Sequence, residues 1–308
     1  MSSPSFSGTA TTPGVANRRA IGEFLQKAGG DVEAALARYL SAPAAADGGV
    51  LDSMRYTALA PGKRIRPAVL LATAELYGTG RARALPAACA VEFVHASSLI
   101  LDDLPCMDDA ASRRGLRTNH RVHGEATAIL AAFGLLNLAY GILAGEGPAA
   151  ERVRLEIARR LSGALGPEGL IGGQALDLKH ASGHVSLDEM ERIHSRKTGS
   201  LFIASVSLGA LLGGAPPEEG AALISFAKNL GLAYQIVDDL LDVTGDPIRT
   251  GKPSGADRRG NFVTLAGIDG ARRLAEELTD CALQHLAPLG ARAALLRGIA
   301  LELCGRAG

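Results

Sequence analysis

Apolar residues recur every three to four positions through most of this chain, and each run closes on glycine, proline or a short polar cluster. That period lines one face of an α-helix, whereas alternation at period two, the mark of a half-buried strand, is scarce. The pattern predicts helices over residues 20–40, 69–77, 86–104, 125–144, 150–165, 187–193, 201–212, 219–243, 271–286 and 291–304. Gly78-Thr79-Gly80, Gly213-Gly214-Ala215-Pro216-Pro217 and Gly245-Asp246-Pro247 fall between runs, where residues that break helices belong. Residues 1–17, rich in Ser, Thr, Gly and Pro, read as a flexible tail, and 18–308 as one all-α domain, a helical bundle.

Two windows, 126–145 and 198–217, carry no charge and are long enough to raise the question of a membrane span. Both are diluted with Gly, Ser, Thr, Asn or Pro, so they are expected to be fully buried helices of the bundle and not transmembrane segments. The chain has 308 residues, 47% of them hydrophobic, enough for a substantial core. Lys plus Arg and Asp plus Glu both number 32, so no global field favours nucleic acid or an anionic surface. Cys89, Cys106, Cys281 and Cys304 have no paired spacing, and no basic-then-apolar leader opens the chain, which points to a cytoplasmic protein.

Local charge must therefore carry the chemistry. Asp102-Asp103-Leu104-Pro105-Cys106-Met107-Asp108-Asp109 and Asp238-Asp239-Leu240-Leu241-Asp242 crowd carboxylates into apolar sequence. Such crowding is self-repelling unless a cation sits among them, and oxygen-only ligands suit hard ions such as Mg²⁺. Asp238 and Asp242, four apart on a helical period, project from one face. The first cluster is expected to be the same device with a bulge at Pro105 that returns Asp108 towards Asp102. Cys106, a soft thiol, reads as packing.

Basic residues stand beside glycine in short motifs: Gly62-Lys63-Arg64-Ile65-Arg66-Pro67, Arg113-Arg114-Gly115, Lys197-Thr198-Gly199 and Gly251-Lys252-Pro253. Guanidinium forks bind phosphate bidentately and Lys adds a point charge. Together with the Gly172-Gly173-Gln174-Ala175-Leu176-Asp177 segment and the two acidic motifs, their order from Gly62 to Asp257 resembles the trans-type isoprenyl diphosphate synthases, which include farnesyl and geranylgeranyl diphosphate synthases.

The resemblance implies a bundle around a deep apolar cavity and a homodimer. It also implies about three Mg²⁺ ions at the cavity mouth, held by Asp102, Asp103, Asp108, Asp238 and Asp242 together with an allylic diphosphate: dimethylallyl, geranyl or farnesyl. Arg113, Lys197 and Lys252 would contact that diphosphate, with Thr198 and Gln235 nearby. Isopentenyl diphosphate, bound without metal, would lie against Lys63, Arg66, His95 and Arg114. By the same resemblance chain length depends on the floor beneath the first motif, and Ser97 and Ser98, roughly 6 to 8 Å deeper along the helix, are small where farnesyl-type members carry an aromatic residue. Phe93 and Phe133 are expected to close the cavity lower down, and geranylgeranyl diphosphate to be the main product.

Leu101, Ala110-Ala111, Ala132-Phe133 and Asn261-Phe262 depart from the family pattern; the last replaces a Gly-Lys, for which Arg258 and Arg259 are candidate substitutes. The competing readings are a farnesyl diphosphate synthase, a catalytically weak partner subunit of another synthase, and a terpene cyclase, which would leave Lys63, Arg66 and Arg114 without a task.

Overall fold

In a computed structural model of the chain, which describes residues 17–41, 49–145, 149–180, 185–244 and 261–305, the helical period becomes a stack of helices. In chain order these are α1 (Arg18–Tyr39), α2 (Val50–Ala58), α3 (Ile65–Leu76), α4 (Arg81–Asp102), α5 (Asn119–His123), α6 (Glu125–Gly145), α7 (Glu151–Leu165), α8 (Leu170–His180), α9 (Leu187–Lys197), α10 (Gly199–Gly213) and α11 (Pro217–Thr244). Then come α12 (Phe262–His285), a 3-10 segment (Ala287–Ala293) and α13 (Ala294–Cys304). A two-stranded hairpin, β1 (Ser112–Arg113) and β2 (Leu116–Arg117), interrupts them. The expected tail lies almost wholly outside the described residues; its last residue, Asn17, instead caps α1 by accepting from the Arg19 N–H at 3.0 Å.

α10, the second charge-free window, runs through the centre and packs against α3, α4, α7, α9 and α11. Burial of nearly every one of its residues explains why it needs no polar face. α6 corrects the expectation of full burial. It packs on α2, α4 and α7, but Ile129, Leu130 and Phe133 stay open, the last two 55% and 64% exposed. α4 and α6 are each long and apolar enough to cross a membrane by length and composition alone; α4 lies mostly inside the bundle and α6 leaves one apolar stripe uncovered.

A second, smaller core fixes the later acidic motif. Leu232, Ile236, Val237 and Leu240 of α11 meet Met190 of α9 and Phe262, Val263, Ala271 and Ala275 of α12. Each large side chain so buried contributes about 1.5–3 kcal/mol, so this stripe sets the rotation of α11 about its axis. α12 begins nine residues before the expected 271, because Asn261 and Thr264 form a capping box and Gly267, at φ 72°, breaks the period that the sequence shows.

Candidate active site

The first acidic motif is not a bulged helix. α4 stops at Asp102, and the chain doubles back: the Met107 N–H and the Asp109 N–H both bond the Leu104 carbonyl (2.9 and 3.0 Å), and the Asp108 N–H caps the Asp102 carbonyl at 3.0 Å. Pro105 has no N–H to continue the ladder, which is why the helix ends here. Asp108 nevertheless returns beside Asp102, as expected. Burial pushes the Asp102 carboxyl up to about 6, against the pull of Lys197 and with the repulsion of Asp108. Asp103 turns the other way: it is buried and both its oxygens accept from Arg113, at 2.8 to 3.0 Å.

Arg113 reaches Asp103 from the hairpin. Its two-residue turn, Arg114-Gly115, has positive φ at both positions (54° and 77°), the geometry that matches the twist of paired strands. Among the described residues, non-glycine positive φ occurs at Arg64, Asp109 and Arg114, all within the acidic and basic motifs. Strain of this kind persists where surroundings over-determine the backbone and gathers at functional sites.

The second motif stands on an unbroken α11. Asp238 and Asp242 share a face; Asp239 is turned inward, accepting from Gln235 Nε2 at 2.9 Å and from the Phe262 N–H at 3.1 Å. Gln235 in turn accepts the Thr198 hydroxyl at 2.9 Å, so donors and acceptors settle which way the amide points. Thr198 sits where α9 meets α10, one residue after Lys197. Burial works against the Lys197 ammonium, but Asp102, Asp177 and Asp108 outweigh it and its pKa is raised. Its Nζ lies 2.6 Å from Asp177 Oδ2 on α8. Lys197 thus lies in the field of the first motif, while its neighbour Thr198 is bonded to Gln235, one turn before the second motif on α11.

Opposite lies a cationic nest. Lys63 Nζ is 4.0 Å from Asp238 and 6.0 Å from the Tyr234 ring centre. The Arg66 guanidinium lies over the Phe202 ring at 5.1 Å and 3.3 Å from His95 Nε2. Arginine only donates, so Nε2 is the acceptor and the ring proton belongs on Nδ1. Burial drives the His95 pKa well down, and the fields of Arg66, Arg114, Arg113 and Arg64 reinforce it, keeping the ring neutral. Burial also lowers the pKa of Arg66 and Arg114. Arg64 and Arg113 are already held by Glu92 and Asp103, which leaves Arg66 and Arg114, beside a neutral imidazole, as the guanidinium groups suited to a multiply charged anion.

Lys252, with Arg258 and Arg259, lies outside the described residues. Beneath Asp102, Ser97 is buried with its hydroxyl donated to the Ala132 carbonyl at 2.9 Å, and Ser98 bonds the His95 carbonyl at 2.9 Å. Phe93 is fully buried, edge-on to Tyr39 of α1 with ring centres 6.3 Å apart. Phe133 contradicts its expected place as a cavity cap, because it sits on the open stripe of α6. Gln174 is a further candidate that spacing did not single out. It is buried, with neither amide atom bonded among the described residues, one turn before Asp177. Gly173 beside it lets α8 approach, since a Cβ there would stand 2.3 Å from the Lys197 nitrogen. The Gly172-Gly173-Gln174 segment carries the signal.

Among the described residues no three His, Cys, Asp or Glu side chains converge as a ready-made metal site. The donor set still fits Mg²⁺: separate carboxylates on two walls, with Asp102 and Asp238 both pushed up by burial, are what an ion takes when substrate phosphate and water complete its shell.

The polyprenyl synthetase family model matches residues 49–288. The farnesyl diphosphate synthase of Geobacillus stearothermophilus is 42% identical over 274 residues, 86% of this chain and 91% of that protein. A chloroplastic geranylgeranyl pyrophosphate synthase of Catharanthus roseus is 44% identical over 242 residues, 77% and 68% of the two chains. Among solved structures, an apo FPP/GFPP synthase from Zymomonas mobilis superposes with a TM-score of 0.84 at 34% identity, covering 94% of this chain and all of that one.

Proposed function

This chain belongs to the polyprenyl synthetase family and is a trans-prenyltransferase, and from that premise we propose that it condenses isopentenyl diphosphate with an allylic diphosphate to give chiefly geranylgeranyl diphosphate. The observation that carries the reading is the pair of acidic motifs linked through Lys197, Thr198 and Gln235, with the cationic nest of Lys63, Arg66 and His95 reaching Asp238.

Asp102 and Asp108 on one wall and Asp238 and Asp242 on the other would hold about three Mg²⁺ ions with the allylic diphosphate, and the ions would supply positive charge where the leaving group gains negative charge. Asp103 holds Arg113 in place beside that diphosphate. Lys197 adds a fixed cation, which stabilises the departing diphosphate more than the bound ester. The allylic carbon–oxygen bond breaks with its electron pair leaving on the diphosphate. Thr198 and Gln235 line the space next to the cation that remains. Lys63, Arg66 and Arg114 hold isopentenyl diphosphate, and neutral His95 accepts from Arg66 and so orients it. The double bond of isopentenyl diphosphate forms the new carbon–carbon bond, and a proton passes to the departed diphosphate.

The small pair Ser97 and Ser98 supports the longer product. Farnesyl diphosphate is the second reading, favoured by the farnesyl-named relatives at 42% identity. The open stripe of α6 supports a homodimer, and the four free thiols support a cytoplasmic setting. Purified protein given isopentenyl diphosphate, geranyl diphosphate and Mg²⁺, with products separated by chromatography, tests the reading. A twenty-carbon product supports it, a fifteen-carbon product selects the second reading, and no elongation rejects both.

A further inference from the structure

Arg64 lies between two residues assigned to substrate but does not itself face the site. It is 4% exposed, and its guanidinium reaches Glu92 of α4 at 2.7 Å, the Ala60 carbonyl at 2.7 Å and Glu33 of α1 at 3.4 Å. Its backbone is left-handed, φ 47°, at the residue that caps α3. Nothing in an arginine favours that conformation; the three acceptors impose it. On either side of this left-handed cap, Lys63 reaches Asp238 on α11 while Arg66, in the first turn of α3, reaches His95 and the Phe202 ring. Glu92, buried at 3% exposure, also lies within the field of Arg66 and Arg114. The second arginine loop is tied to the same place, since Arg114 Nη1 donates to the Pro61 carbonyl at 3.3 Å.

We propose that the buried Arg64–Glu92 pair is the positioning element of the metal-free diphosphate subsite: it aims Lys63 and Arg66 and supplies the counter-charge that keeps the cations assembled before substrate arrives. This rests on the reading that isopentenyl diphosphate binds in that nest. A pair kept for stability alone is a weak alternative, because apolar side chains of similar volume commonly serve as well at buried positions. Its cost is easier to account for if it fixes geometry that substrate needs.

Two variants separate these roles. Arg64→Gly accepts the positive φ without strain and removes the pair, whereas Arg64→Gln with Glu92→Gln leaves no orphan charge and protects folding. Titration calorimetry with isopentenyl diphosphate in EDTA is expected to show wild-type binding and affinity lowered about tenfold or more in both variants, the scale of a lost charge-assisted contact. With Mg²⁺ present, KM for geranyl diphosphate is expected to stay within about twofold. Arg64→Lys, which keeps one donor to Glu92, should recover part of the affinity. Equal affinity in wild type and variants, or equal rises in both KM values, overturns the inference. Wild-type protein that binds no isopentenyl diphosphate without metal overturns the subsite reading on which it rests, a distinguishable failure.

Discussion

The Thr198 hydroxyl donates to Gln235 Oε1 at 2.9 Å, and this one bond ties the junction of α9 and α10, where Lys197 stands, to the helix that carries Asp238 and Asp242. Thr198→Val keeps the shape and removes the donor, leaving the half-buried Gln235 amide short of a partner. Stability is expected to fall by about 1–3 kcal/mol and kcat by about tenfold or more. Thermal melting and steady-state rates check both; unchanged kcat would detach Gln235 from the reaction.

Ser97→Phe adds a ring one turn and a half beneath Asp102, at a buried position bonded to Ala132 of α6. The main product is expected to shorten to fifteen carbons, with a loss of about 1–3 kcal/mol from overpacking. Product chromatography decides it, and an unchanged twenty-carbon product would move the floor of the cavity elsewhere.

His194 gives a pH signature. Burial lowers its pKa to about 4, with Asp177 opposing and Lys197 assisting. Between roughly 6.5, the unfolded value, and 4 the unfolded chain holds a proton that the folded chain refuses, so stability falls as pH falls through that window. The loss is on the order of 3 kcal/mol for this group. His194→Phe should reduce the slope of stability against pH by about one proton there, measured by urea unfolding at several pH values.

Leu130 and Phe133 on α6 are expected to be covered by a second copy of the chain. Leu130→Glu with Phe133→Glu would bury charge at such a seam, and sedimentation should show monomers where the wild type shows dimers. A wild type that sediments as a monomer leaves the stripe for some other neighbour.

Legibility in the sequence followed the range of each interaction. Asp238 and Asp242 could be read from spacing because α11 continues through them, and α10 because an apolar run without polar residues has to be surrounded. Pro105 did not reveal whether its helix bulges or stops, since only the bonds from Met107, Asp108 and Asp109 decide that. α6 looked the same as α10 in composition; which of its faces has a neighbour is a property of the other helices. The Arg64–Glu92 contact spans 28 residues and the Lys197–Asp177 contact 20, beyond any local pattern. Asn261, read as a missing cation, is a helix cap whose neighbouring N–H serves Asp239.

Whether both acidic walls grip one metal-bound diphosphate is tested most directly by calorimetric binding of geranyl diphosphate with Mg²⁺ to wild type, Asp102→Asn, Asp238→Asn and the double variant. Each single change is expected to weaken binding about tenfold or more, and the double variant to bind far less weakly than the product of the two losses predicts, because the walls act on the same ligand. Losses that multiply as independent effects, or no loss from one wall, would contradict a shared site.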